Sequence, residues 1–414
     1  MRIVYLHQYF ITPQMAGGSR SYEMARRLVA AGHEVHMVTS DQTGEDGGPR
    51  WRASVEAGIN VHWTPVGYDN EMAYRQRIGA FLRFAWRAAR KARDLEPDII
   101  FATSTPLTIA IPAVYAARRC RVPMVFEVRD LWPAVPIAIG AIRNPLVIHA
   151  AKALEGFAYR NAARVVALAP GMRDEVVASG YPPERVVVIP NGCDLDIFAA
   201  AESEDGLRDR YAWLGERPLL VFTGTFGLVN GMDYLVRLAA ELDRIDPEIR
   251  IAAIGAGREL ESTRMLAAEL GVLDRNLFLL GKKPKNETAM WTRTADMTIA
   301  LFTGPEIVWR DAVQNKFFDS LAAGTPVANN FPGWQARIAE EAGAGIILSS
   351  DDIKAAAMDV AHSLRNTAWL EGAARVARQL AIERFNRDDL AASLAKLLEE
   401  VQREAQAHAR LPGR

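Results

Sequence analysis

Residues 311–326 read Asp-Ala-Val-Gln-Asn-Lys-Phe-Phe-Asp-Ser-Leu-Ala-Ala-Gly-Thr-Pro. Phe318, Leu321 and Ala322 recur at i, i+3 and i+4, so the spacing predicts a short helix that buries this stripe. Lys316 and Asp319 then stand one turn apart on another face. Gly324 suits a left-handed cap, and Pro326 stops the helix. The first amides of a helix have no carbonyl partners inside it, and a lysine in that turn completes a seat for phosphate. Asn315 and Lys316 supply that seat, while Asp319, one turn on, can accept hydrogen bonds from a ribose diol. Asp311 falls in the loop just ahead. The pattern describes a sugar nucleotide held at a helix start, although an amphipathic helix with an exposed Lys/Asp pair would carry the same spacing.

Around this stretch, strand-like and helix-like segments alternate. Leu219–Thr223, Ile249–Ile254, Leu277–Leu280 and Met297–Phe302 read as strands, with helices at Met232–Leu242, Glu259–Leu270 and Thr288–Thr294 between them; short strands at Val327–Asn329 and Gly345–Leu348 follow. Residues 201–216, rich in Asp, Glu, Gly and Arg, break the alternation and read as a linker. Ahead of them it runs again, with strands at Ile3–Phe10, Glu34–Thr39, Ile59–Val66, Asp98–Thr103, Val122–Val128, Arg164–Leu168 and Val186–Pro190. Repeated βα units of this length imply two doubly wound, Rossmann-like parallel sheets, whose ligands sit beyond the carboxyl ends of the strands. The expected division is 1–205 for an acceptor-binding domain, 206–385 for a nucleotide-sugar domain, and 386–414 for a last helix packing back on the first domain. The two domains are expected to face each other across a cleft.

In the first domain, Gly17 and Gly18 follow the opening strand where a backbone turns or approaches a ligand; a flexible turn is the alternative, since the spacing is not that of a dinucleotide fingerprint. The run Glu127-Val-Arg-Asp130 emerges at a strand end, where ionisable groups are costly unless used or paired internally. Between Glu71 and Asp94 a helical pattern places Ile78, Phe81, Leu82, Ala85 and Ala89 on one stripe, with Arg83, Arg87 and Arg90 opposite. Such a basic face could meet an anionic membrane surface or an acceptor's diphosphate, or simply be solvated.

A formal net charge of −1 argues against general affinity for nucleic acid. Cys120 and Cys193 are isolated from each other and from any His cluster, which suits a reducing compartment. The opening run is too short and polar for a signal segment, and no 18-residue apolar run occurs, so a cytoplasmic protein, peripheral on the inner membrane face, is expected.

Taken together, the motifs resemble those of retaining glycosyltransferases of family 4, which have two Rossmann-like domains in the GT-B arrangement. The likeness rests on Gly17-Gly18, Gly32-His33-Glu34-Val35, Pro97-Asp98, Ile189-Pro190-Asn191-Gly192 with Asp194 and Phe198, Phe222-Thr-Gly224, Ile254-Gly-Ala-Gly257 and Asp319-Ser-Leu-Ala-Ala-Gly-Thr-Pro326. Glu127-Val-Arg-Asp-Leu-Trp-Pro133 is similar to a bacterial surface-polysaccharide subgroup that includes fucosaminyl transferases.

The resemblance implies that Asp311 and Asp319 take the two carboxylate places of the E-x7-E motif, the first contacting donor sugar and the second ribose, with Lys316 on a phosphate. Where the family often carries Arg and Lys, this chain has Thr225 and Asn230; diphosphate charge then falls to Lys316, Arg258, or amides of the Gly224–Gly231 loop and Gly257. Arg129 and Asp130 stand where a catalytic-site His is usual. The implied reaction moves a hexosyl or N-acetylhexosaminyl unit from a UDP-linked donor to a polyprenyl-diphosphate-linked or soluble saccharide, with retention and without a metal. Asp194-Leu-Asp196 matches a metal-binding D-x-D only superficially. A sugar-nucleotide epimerase and a non-catalytic nucleotide-binding scaffold are the alternatives.

Overall fold

A computed structural model describes residues 1–13, 15, 20–41, 50–67, 72, 74–198 and 206–410. Gly17 and Gly18, residues 42–49, and residues 199–205 lie outside them. The chain forms two compact units, Met1–Pro190 with Asp388–Arg414, and Asn191–Arg387. The contact boundary thus falls at Pro190, before the 201–216 stretch.

The first unit is built on eight strands: β1 Arg2–Leu6, β2 Glu34–Asp41, β3 Arg52–Glu56, β4 Ile59–Pro65, β5 Ile99–Thr103, β6 Met124–Val128, β7 Arg164–Ala167 and β8 Val186–Val188. Their order across the sheet is β3-β4-β2-β1-β5-β6-β7-β8. Every pairing is parallel except that of β3 with β4. Ile3, Val4, Tyr5 and Leu6 are all wholly buried, as expected of a central parallel strand covered on both faces. Ala57 and Gly58, with φ of 49° and 81°, make the tight hairpin that adds β3 to the edge. The last helix, Arg387–Arg410, lays Ala391, Leu394, Ala395, Leu398 and Val401 into the core formed by Ile3, Tyr5, Leu28 and Val35. An ion pair from Arg164 to Glu404 (2.9 Å) holds it to the first unit, and His33 Nε2 lies 3.3 Å from the Glu399 carboxylate.

The helix Tyr74–Asp94 buries a stripe rotated from the expected one, sharing only part of it. Ala85 and Ala89 of the expected stripe are buried and Phe81 is half-buried, but Ala80, Phe84, Ala88 and Ala92 complete the inward face, while Ile78 and Leu82 are exposed. The helix lies against Ala110–Cys120, and close approach of two helices favours small residues at the seam, so the alanines win the buried positions.

The second unit has six parallel strands: β9 Leu219–Thr223, β10 Arg250–Ile254, β11 Leu277–Gly281, β12 Met297–Ala300, β13 Val327–Asn329 and β14 Gly345–Ile347, ordered β11-β10-β9-β12-β13-β14. Part of the stretch read as a linker belongs to this core. Leu207 and Leu214 are buried, and Trp213 stacks 3.8 Å from the Phe278 ring.

Candidate functional site

In a doubly wound sheet, ligands bind beyond the strand carboxyl ends where the order of strands reverses. In the second unit that point lies between β9 and β12. After β9, the Gly224–Gly231 loop crosses the loop after β10 backbone against backbone: Gly224 N donates to Ile254 O (2.9 Å), and Phe226 N to Ala256 O (3.0 Å). A Cβ on Gly255 would stand 1.7 Å from Gly224 O, and one on Gly257 would stand 2.3 Å from Phe226 O. These glycines are therefore required by the crossing itself. Gly255→Ala is expected to lower the melting temperature and to weaken nucleotide binding at least about tenfold, because the backbone clash must push the two loops apart; thermal melts and calorimetry check both.

The helix Asn315–Ala323 has the predicted cap, with Gly324 at φ 69° and its amide donating to Leu321 O. Phe317 joins the expected stripe, wholly buried beside Phe318 and Phe385. At the other end, Gln314 offers no side-chain cap, and its backbone is held by Gln335, Oε1 accepting at 3.0 Å and Nε2 donating at 3.1 Å. The helix start is thereby held in place while lacking a side-chain acceptor for its first amides.

Lys316 is the decisive group. Its stem is half-buried, but Nζ is enclosed, makes no hydrogen bond among the described residues, and sits 3.8 Å from the centre of the Phe222 ring. Nζ also packs against Gly224, where a Cβ would come within 3.0 Å of it. Burial pushes its pKa down to about 7. A ring face attracts a cation but cannot replace a counter-ion, so the buried ammonium lacks the compensation its enclosure calls for.

Asp319 is half-buried and forms no hydrogen bond or ion pair among the described residues. Burial raises its pKa to about 6, opposed by Lys285 and Arg387 and reinforced by Asp194. Asp194, fully enclosed, is instead committed to Arg387 (2.6 Å) and Lys285 (2.7 Å). Asp311 lies in the loop before the helix, buried and paired with Arg310 at 2.8 Å. Arg258 and Thr225 are exposed on the two crossing loops, Asn230 is half-buried, and Asn191 Nδ2 ties its segment to Val313 O at 2.9 Å.

In the first unit Glu127 belongs to an internal pair. It accepts from Arg20 Nη2 at 2.8 Å and Thr103 Oγ1 at 2.6 Å, with no exposed surface. Arg129 is half-buried, its amide donating to Ser104 Oγ (3.0 Å), and Asp130 is exposed, accepting from Thr105 Oγ1 (3.0 Å). Arg87 is occupied by Thr64 Oγ1 (3.1 Å) and Pro65 O (2.8 Å), whereas Arg83 and Arg90 are exposed. Arg387 and Lys285 escaped the sequence reading because nothing local links them to Asp194. His7 and Gln8 escaped it too; their only signal is two polar residues at the end of an otherwise apolar strand.

Residues 16–192 match the family described as glycosyl transferase 4-like domain, and residues 217–366 match glycosyl transferases group 1. The chain is 24% identical over 309 residues to the GDP-mannose-dependent alpha-(1-6)-phosphatidylinositol monomannoside mannosyltransferase of Mycolicibacterium smegmatis, covering 74% of this chain and 76% of that one. It is 23% identical over 285 residues to the putative colanic acid biosynthesis glycosyl transferase WcaI of Escherichia coli, covering 65% and 69%. Among solved structures, Anabaena HepE in complex with UDP superposes with a TM-score of 0.73 at 16% identity, covering 97% of this chain and all of that one. The protein is a glycosyltransferase of the GT-B fold, with a glycosyl transferase 4-like domain followed by a group 1 domain. The fucosaminyl-transferase likeness is a finer reading, and no relative named here carries that description.

Proposed function

We propose that the enzyme moves a hexosyl or N-acetylhexosaminyl unit from a UDP-linked donor to a lipid-linked or soluble saccharide in surface-polysaccharide synthesis, with retention. The observation that carries the donor assignment is the enclosed, unpartnered Nζ of Lys316 beside an uncapped helix start. As the bond from the anomeric carbon to the diphosphate breaks, negative charge grows on the bridging oxygen. Helix amides and Lys316 stabilise that charge without a metal. Asp319 holds the ribose, and Asp311 orients the donor sugar. A double displacement needs a carboxylate beside the anomeric carbon. With none assigned there, the acceptor oxygen attacks on the face the diphosphate leaves, and its proton passes to the departing phosphate.

The Escherichia coli relative's name supports the polysaccharide setting. The base is open to a direct comparison, since HepE was crystallised with UDP and the Mycolicibacterium relative is named for GDP-mannose. Calorimetry with UDP, GDP and ADP is expected to show UDP binding tightest; tighter GDP binding would reassign the donor. Donor consumed without any acceptor and epimerised would favour the epimerase, and binding with no turnover the scaffold.

A membrane partner is favoured by a separate observation. Ile78, Leu82 and Trp86 recur every fourth residue with 37%, 52% and 62% exposure, and exposed Arg75, Arg83 and Arg90 flank them. Neighbouring helices expose Ile111 and Leu146, and residues 131–154 contain no Asp or Glu. Among the described residues no helix is long and apolar enough to cross a membrane. A helix face of this kind lies in the headgroup layer, where each basic residue near an anionic surface contributes about 1 kcal/mol. Sedimentation with phosphatidylglycerol vesicles is expected at low salt, with loss of at least about tenfold in affinity for Leu82→Asp or the Arg83→Glu/Arg90→Glu pair. Equal binding to phosphatidylcholine vesicles would contradict the reading.

A further inference from the structure

The first sheet also reverses its strand order, between β1 and β5, and the residues leaving β1 at that point are His7 and Gln8. Both are enclosed, at 4% and 0% exposure. Their backbone is fastened to the end of β2: His7 N donates to Val38 O (3.2 Å), while Gln8 O accepts from Ser40 Oγ (2.7 Å), Thr39 Oγ1 (3.1 Å) and Ser40 N (3.2 Å). The main chain there is pinned.

The side chains are not satisfied. Among the described residues, Nδ1 of His7 and both amide atoms of Gln8 are buried without a hydrogen-bond partner. His7 Nε2 lies 3.4 Å from Arg129 Nη1. A guanidinium can only donate, so Nε2 must be the accepting nitrogen and Nδ1 carries the proton. Burial, and secondarily the Arg129 charge, push the His7 pKa well below its ordinary value, which keeps the ring neutral. Three orphaned groups therefore gather at a sheet edge where ligands bind: a donor on His7, and a donor and an acceptor on Gln8. Arg129 forms no ion pair with a carboxylate among the described residues, leaving its charge at the same edge.

The mixture identifies the ligand class. A phosphate offers only acceptors and would leave the Gln8 carbonyl unsatisfied. A hydroxyl both donates and accepts, and several neighbouring hydroxyls match the set. We propose that His7 and Gln8 recognise the hydroxyl groups of the acceptor saccharide at this switch point, positioning it for transfer. This rests on the glycosyltransferase reading of the second unit. Both are positioning residues, and Arg129 acts by setting the tautomer of His7.

The test uses the full-length enzyme with UDP and GDP sugars as donors and a panel of n-octyl glycosides (α-mannoside, β-glucoside, N-acetyl-β-glucosaminide) as acceptor probes. Gln8→Met is near in shape and removes both orphans. It should raise the glycoside KM tenfold or more, leave the nucleotide dissociation constant within twofold, and keep or raise the melting temperature. A merely structural glutamine predicts the reverse, a lower melting temperature with unchanged KM. His7→Asn keeps a donor near the position of Nδ1 and should retain most of the glycoside affinity; His7→Gln, which does not, should lose it. Nitrogen-15 spectra of the histidine rings in the free enzyme should show His7 as the neutral Nδ1–H tautomer. The proposal is overturned by an Nε2–H or doubly protonated His7, by unchanged glycoside KM in both Gln8→Met and His7→Gln, or by His7 ring signals that no glycoside shifts. Failure of the wild-type enzyme to bind any of the nucleotides sinks the donor reading of the second unit instead.

Discussion

Replacing Lys316 with methionine is expected to leave the ligand-free fold as stable or more stable at neutral pH, while lowering transfer a hundredfold or more. Nζ is enclosed with no counter-ion, and burial moves its pKa from 10.5 to about 7. A pKa that is lower in the folded than in the unfolded state means that the unfolded chain binds the proton more tightly. The group therefore costs stability in full below about pH 7, and the cost fades as pH rises toward the unfolded value of about 10.5. A shift of this size corresponds to a few kcal/mol, on the order of 1.4 kcal/mol per pH unit. Methionine removes the cost while filling a similar volume, so the variant should lack the stability gain that the parent shows from about pH 7 to pH 10. The catalytic loss comes from the same atom: removing one donor to developing oxyanion charge typically costs about 100-fold to 1,000-fold in rate. Urea melts across that pH range, together with single-turnover transfer rates, separate the two effects. A destabilised variant with normal turnover would reverse the assignment.

Arg20→Met is expected to destabilise the first unit by roughly 3–5 kcal/mol, because it leaves Glu127 as an uncompensated buried charge. Both side chains have no exposed surface, and Arg20 also donates to the carbonyls of Ile189 and Pro190. Burial alone would raise the pKa of Glu127, but the Arg20 charge and its hydrogen bonds outweigh this and hold the carboxyl below its ordinary value. The pair's contribution is thus present above the unfolded value of about 4.5 and is lost as pH falls through the lower folded one. Adding Glu127→Leu to Arg20→Met should recover much of the loss, since a well-packed apolar pair replaces the ions at similar volume. Denaturant melts of both variants and the double variant decide this, and additive losses would refute the coupling.

Much of this architecture was legible because parallel strands and their helices write it as runs of different period. The Asn315–Ala323 helix, its Gly324 cap and the six-strand second sheet all carry that signal. Three features did not show in it. The β3–β4 hairpin turns on Ala57-Gly58, and alanine gives little warning of a left-handed residue. On Tyr74–Asp94 the expected Ala85 and Ala89 are buried but Ile78 and Leu82 are not, because the neighbouring helix comes close enough to favour alanine over isoleucine and leucine, a tertiary choice that no local pattern reveals. Leu207 and Leu214 sit among charged residues whose composition masks their burial against Trp291. The one-turn spacing of Lys316 and Asp319 was legible too, since both lie on the Asn315–Ala323 helix. The partnership of Asp194 with Arg387 and Lys285 joins residues far apart in the chain, and the orphaned atoms of His7 and Gln8 required the fold itself.

The most direct test is a crystal structure of the enzyme soaked with UDP. The account predicts the diphosphate against the amides of Asn315 and Lys316, with Lys316 Nζ within hydrogen-bond distance of a phosphate oxygen and Asp319 on the ribose hydroxyls. A nucleotide lodged in the first unit, or a Lys316 side chain still enclosed against Phe222 with no phosphate beside it, would contradict it.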